Sequence, residues 1–198
     1  MVTLGITGSL GTGKTTVAKM FAEHGAKVID ADKIVHELLI KDKTCVGKIA
    51  KFFGSNILTR GRIDRNKLAG IVFNQPEKLK ILEKIIHPAV KSEIKKRIAE
   101  VSRSNRYKAV VLDVPLLFES GIDREVDWTV TVLAKRSQQI QRVIQGKNLT
   151  KIQALKRMRA QMPLKDKIRL AEVIIDNRGN LTQTKKQVKD IWQKIIRK

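Results

Sequence analysis

Apolar residues along this chain gather into short runs separated by longer stretches with helical periodicity. The runs at 2–7, 27–30, 109–114, 129–134 and 173–176 are too short for helices and rich in Val and Ile, so they predict five strands. The intervening stretches predict helices at 14–24, 34–39, 137–144, 151–162 and 181–197, with several turns of helix across 44–103. Thr150 followed by Gln153 is a capping box for the helix that starts at 151. Strands alternating with helices predict an α/β fold on a five-stranded parallel sheet with right-handed crossovers. Ligands of such a sheet sit beyond the carboxyl ends of its strands.

Residues 31–108 carry no convincing strand and far exceed one crossover helix, so they read as an inserted helical subdomain. An insertion at that edge is where an enzyme builds an acceptor pocket; a purely structural helical layer is the alternative. No repeat, low-complexity tract or proline-rich linker marks a second domain.

Gly8 to Thr15 read G-S-L-G-T-G-K-T directly after the first strand and at the start of a helix. This is the phosphate-cradling pattern G-x-x-x-x-G-K-[ST] in its required context. Backbone N–H groups of such a loop turn toward a phosphate, and Gly8, Gly11 and Gly13 give the backbone that freedom. Lys14 can reach the β- and γ-phosphates, Thr15 can offer its hydroxyl to Mg²⁺, and the helix from Lys14 points its positive end at the anion.

Charge adds a second partner class. Lys and Arg outnumber Asp and Glu by 41 to 19, a net +22, which attracts phosphates of any kind, nucleic acid included. Only eight aromatics are available to stack on bases, and the charge runs along the whole chain, so solvated helix faces are the simpler reading. Residues 135–169 are the exception, with eleven Lys or Arg against one acidic residue, Asp166. That segment is a candidate for closing over a polyphosphate. No apolar run approaches the roughly 18 residues of a membrane span, and the N-terminus lacks a signal pattern, so a soluble, cytoplasmic protein is expected. The single cysteine, Cys45, is expected to be a small buried residue without chemistry.

Phosphoryl transfer needs an oriented nucleophile, a metal and cations on the transferring oxygens. Asp32, in V-I-D-A-D after the second strand, is placed to accept a proton from a substrate hydroxyl; Asp30 competes for that role, and an N-cap is the structural alternative for Asp32. Asp113 closes an apolar strand as the carboxylate that orients Mg²⁺ or its waters does in phosphate-loop enzymes. Arg142, Arg157 and Arg159 lie in the basic segment, with Arg157 and Gln161 expected on one helix face.

The motifs G-I-T-G-S-L-G-T-G-K-T-T, V-I-D-A-D, G-R-I-D-R, I-I-H-P, L-D-V-P-L-L-F-E-S-G and I-D-N-R-G occur in this order from Val2 to Gly179. As an ordered set they resemble the dephospho-CoA kinase family. The resemblance implies a three-layer phosphate-loop NTPase fold similar to nucleoside monophosphate kinases. Its core would be residues 1–32, 108–134 and 171–198, its acceptor-binding insertion 33–107 and its lid 135–170. It implies ATP and Mg²⁺ as cofactors and phosphorylation of the ribose 3′-hydroxyl of dephospho-CoA, the last step of coenzyme A synthesis. By resemblance Asp32 is the general base, Lys14, Arg142 and Arg157 bear on the transferring phosphoryl group, and Gly8, Ser9, Leu10, Gly11, Thr12, Gly13, Thr15, Thr16 and Asn177 hold ATP. Asp64, Arg65, His87 and Asp113 fall on the acceptor side, with Asp113 also behind the metal. His87 before Pro88 has a structural alternative, the end of one helix and the start of another. The chain departs from the family pattern at Gly146 and Lys147, where a second lid arginine and an acidic residue are usual. The rival readings are a kinase for another nucleotide or small alcohol, and a nucleic-acid-binding phosphate-loop protein.

Overall fold

The computed structural model describes residues 1–147 and 150–196, without the side chain of Lys147, so whether that lysine serves as a lid cation lies outside the described residues. The chain divides into two compact units, residues 1–30 with 97–198, and residues 31–96.

The first unit holds β1 (Val2–Thr7), α1 (Lys14–Glu23) and β2 (Ala26–Asp30), then, beyond the second unit, β5 (Ala109–Asp113), β6 (Trp128–Leu133), α6 (Arg136–Lys147), α7 (Lys151–Arg159), α8 (Leu164–Leu170), β7 (Val173–Asp176) and α9 (Leu181–Ile196). The five strands form the expected parallel sheet, in the order β2-β5-β1-β6-β7. The two central strands, β5 and β1, are almost wholly buried, which is why they read as continuous apolar runs rather than alternating ones. Alternate side chains separate the two faces of the sheet. Leu4, Ile6, Val111, Val130, Val132 and Ile175 meet Val17 and Phe21 of α1 and Val188, Trp192 and Ile195 of α9. On the opposite face, Thr131 donates its hydroxyl to the carbonyl of Lys167 in α8 at 3.1 Å.

In the second unit, α2 (Ala31–Lys41) and α3 (Lys43–Phe53) are followed by β3 (Leu58–Thr59), β4 (Arg62–Ile63) and α4 (Arg65–Val72); α5 (Pro76–Arg103) begins here. Cys45 is buried, as expected, and burial pushes its thiol pKa up. Asp42 caps α3 by accepting from the Cys45 amide at 2.9 Å.

Four expectations are corrected. Residues 31–108 do contain strands, the β3–β4 hairpin, whose two turn residues, Arg60 and Gly61, both have positive φ. Arginine is an unusual residue in such a turn, which hid it. Helix α2 starts at Ala31, not Ile34, so Asp32 sits inside its first turn rather than at the cap. Pro88 does not divide two helices: α5 runs through it, and the carbonyl of Lys84 goes without the amide partner proline cannot supply. Finally, the helix from 151 ends at Arg159 rather than 162, and a separate short helix, α8, follows Pro163.

The core makes a direct stability prediction. Phe21 is fully buried, with its ring centroid 6.5 Å from that of Trp192. Phe21→Ala should cost about 3–5 kcal/mol in chemical denaturation, the usual range for emptying such a site; a loss below about 1 kcal/mol would mean the α1–α9 layer is not the core.

Candidate active site

The first strand ends at Thr7, Gly8 opens the loop, and Lys14 begins α1. Two of the loop's glycines show why no side chain fits there. Gly11 (φ 81°) lies against the backbone of Gln139, and Gly13 (φ 94°) against the side-chain amide of Asn177, so a Cβ at either would meet fixed atoms in a backbone conformation that side chains disfavour. Thr12 is fully buried and closes the turn, its amide and hydroxyl both donating to the Ser9 carbonyl, at 3.2 and 2.9 Å. Lys14 is half-buried, whereas Thr15 and Thr16 are exposed at the amino end of α1.

The loop is buttressed from behind. Asn177, 7% exposed, donates to the Thr12 carbonyl at 2.8 Å and accepts from the Thr184 hydroxyl at 3.0 Å. Arg142 donates to the carbonyls of Thr12 at 3.3 Å and Asn177 at 3.5 Å. Gln161 accepts from the Leu10 amide at 3.2 Å, although it lies beyond the end of α7 and not on a helix face with Arg157. Arg157 is half-buried on α7, and Arg159, at the end of that helix, is exposed.

Strand register places the carboxylates. Asp113 pairs with Ile6 of β1 on one side and Asp30 of β2 on the other, so the ends of β1, β5 and β2 are level. The Thr15 hydroxyl donates to Asp113 at 2.7 Å, and Asp113 is only 4% exposed. A hydroxyl beside a buried carboxylate is a hard-oxygen set that fits Mg²⁺, which takes one or two protein groups and fills its shell with water and phosphate. Among the described residues no group of three or more His, Cys, Asp or Glu gathers as a metal cage. Asp32 follows Asp30 by two residues and is exposed.

In the second unit, Asp64 caps α4. Its carboxylate accepts from the amides of Asn66 at 2.9 Å and Lys67 at 3.2 Å, and from the Thr59 hydroxyl at 3.3 Å. The Lys67 amide is the main cause that holds this carboxyl below its ordinary pKa. The next residue, Arg65, brings its guanidinium within 3.5 Å of His36, one turn along α2 from Asp32. His87 is half-buried in α5.

The dephospho-CoA kinase family model, CoaE, covers residues 2–183. The chain belongs to the dephospho-CoA kinase family. It is 42% identical over 192 residues to a dephospho-CoA kinase of Carboxydothermus hydrogenoformans, spanning 96% of this chain and 93% of that one. It is 44% identical over 191 residues to one of Symbiobacterium thermophilum, spanning 96% and 80%. Among solved structures, TT1252 from Thermus thermophilus superposes with a TM-score of 0.81 at 31% identity, covering 98% of this chain and 97% of that one. A dephospho-CoA kinase from Campylobacter jejuni gives 0.71 at 28%, with the same coverage. A shikimate kinase from Acinetobacter baumannii, at 0.52 and 18%, shares the fold.

For this dephospho-CoA kinase family member, sequence reasoning missed Gln139 and Lys167, which meet the loop or its strand from far along the chain, and Glu119, which holds Lys167; Gln161 was named, but for a helix face with Arg157 and not for the Leu10 amide. Of these, Lys167 carried the one readable signal, a position between Leu164 and Ile168 that faces inward. Gly13→Ala should lower ATP affinity about tenfold or more, since strained backbone costs of order 1–3 kcal/mol. Gly47→Ala, at an open site in α3, should leave ATP affinity unchanged. Equal ATP affinities by calorimetry would contradict the role given to Gly13.

Proposed function

We propose that the chain transfers the γ-phosphoryl group of ATP to the ribose 3′-hydroxyl of dephospho-CoA, giving coenzyme A and ADP. The observation that carries this reading is the preformed phosphate loop, with Thr15 on Asp113, in a chain of this family. Phosphoryl transfer leaves little covalent work to the protein; positioning and charge do most of it. Loop amides other than those of Leu10 and Thr12, together with the amino end of α1, hold the phosphates, and Lys14 reaches the β- and γ-oxygens. Thr15 would hold Mg²⁺ and Asp113 would orient its waters; when bound, the ion offsets charge on the phosphate oxygens.

Asp32 takes the proton of the 3′-hydroxyl as its oxygen bonds to phosphorus and the bond to the β-phosphate bridging oxygen breaks. Asp32 stands exposed in the first turn of α2, two residues after the end of β2, where a substrate hydroxyl can reach it. Arg157 supplies lid charge. Asn177 borders the adenine side of ATP, and Arg142, held beside it at the Thr12 carbonyl, adds positive charge for the transferring phosphoryl group. Arg65, Asp64 and His87 belong to the acceptor-binding unit, and the basic segment around α6 and α7 serves as the lid. No helix among the described residues is long and apolar enough to cross a membrane. A cytoplasmic location is part of the same proposal, in keeping with a small-molecule phosphoryl transfer from ATP.

Asp32→Asn should keep the ATP dissociation constant of the parent and lower kcat by about 10²–10⁴, the range for a lost general base. Lys14→Ala should weaken ATP binding as well as turnover. Both follow from calorimetry with ATP and steady-state assays with dephospho-CoA. Parent-like kcat in Asp32→Asn would remove the base assignment.

A further inference from the structure

Lys167 belongs to the basic segment, yet its side chain is 0% exposed. Lysine is almost never buried to that extent unless paired. Its ammonium has three donors and no acceptor, and three acceptors surround it: the Pro115 carbonyl at 2.6 Å, Glu119 Oε1 at 2.9 Å and the Thr7 hydroxyl oxygen at 3.5 Å. The Thr7 hydroxyl spends its own proton on the Pro115 carbonyl, at 3.0 Å, which leaves its lone pairs for the ammonium.

Each acceptor has a place in the site. Thr7 is the last residue of β1 before Gly8, and Pro115 stands two residues after Asp113. Glu119 also accepts from the Met162 amide at 2.9 Å, and the neighbouring Gln161 holds the Leu10 amide of the loop. One ammonium therefore joins the strand that launches the phosphate loop, the strand that presents Asp113, and the return of the basic segment.

Burial is the main cause that draws the Lys167 pKa down; the charge of Lys14 pulls the same way, while Glu119 opposes both. We propose that Lys167, held by Glu119, is a positioning residue that fixes the phosphate loop against the Asp113 strand. This rests on the reading that the loop takes ATP.

A purely structural pair would behave differently. Removing one partner of a buried ion pair leaves the other uncompensated, whereas replacing both by neutral groups of similar shape is often harmless. The test compares Lys167→Met, Glu119→Gln and the double variant by thermal denaturation, ATP calorimetry and separate KM values for ATP and dephospho-CoA. Lys167→Met should lose stability. The double variant should regain it while its KM and dissociation constant for ATP stay raised by roughly tenfold, the scale on which groups one layer behind a ligand-contacting residue act in metal sites. KM for dephospho-CoA should hardly move. A double variant with parent-like stability and parent-like ATP affinity would overturn the proposal. Without any substitution, the ¹⁵N-detected ammonium signal of Lys167 in the parent protein should shift on adding ATP; a signal blind to ATP would also overturn it. Failure of the parent to turn over ATP with dephospho-CoA would instead count against the functional reading.

Discussion

A loop that binds an anion through its backbone must stay open before the anion arrives. Amides free to rotate would close on carbonyls of their own segment, and the cost of reopening would be subtracted from affinity. In this chain the loop is held open by what surrounds it. Asn177 and Arg142 take the Thr12 carbonyl, Gln161 takes the Leu10 amide, and the backbone of Gln139 stands where Gly11 leaves room. Behind them, the Lys167 ammonium ties Thr7 to Pro115 and Glu119. The parallel sheet matters for function because it sets the ends of β1, β5 and β2 level, so that Thr15 meets Asp113.

How much of this was legible depends on how local each cause is. The strands were readable because burial on both faces leaves plain apolar runs, and their ends were found to within a residue of 26, 113, 128 and 133. The loop was readable because its glycines answer a constraint inside eight residues. The Thr150–Gln153 box was readable for the same reason, and both of its hydrogen bonds are present. The hairpin at Arg60–Gly61 was not, since its turn residues give a weak signal and its strands are two residues each. Pro88 inside α5 misled because a local rule was overridden by the packing of neighbouring turns, where Ile86, Val90 and Ile94 are buried.

The site splits along the same line. Positions that touch phosphate were legible, because phosphate binding demands particular residues at particular spacing. The contacts that support them were not: Asn177 and Arg142 were assigned only through the family resemblance, and Gln161 and Lys167 meet Leu10 and Thr7 across more than 150 residues of chain. The surplus charge shows the limit of composition. A net +22 suggested a polyanion, yet one of the lysines in its densest segment is buried in an ion pair, and Lys27 and Lys194 lie over the rings of Tyr107 and Trp128. Charge counted along a chain is not charge presented on a face.

The most direct measurement is product identity. The purified protein is incubated with ATP, Mg²⁺ and dephospho-CoA, and both ADP and the acceptor product are followed by mass spectrometry. The account predicts coenzyme A and ADP formed one for one. ADP without coenzyme A, or neither product, would contradict it.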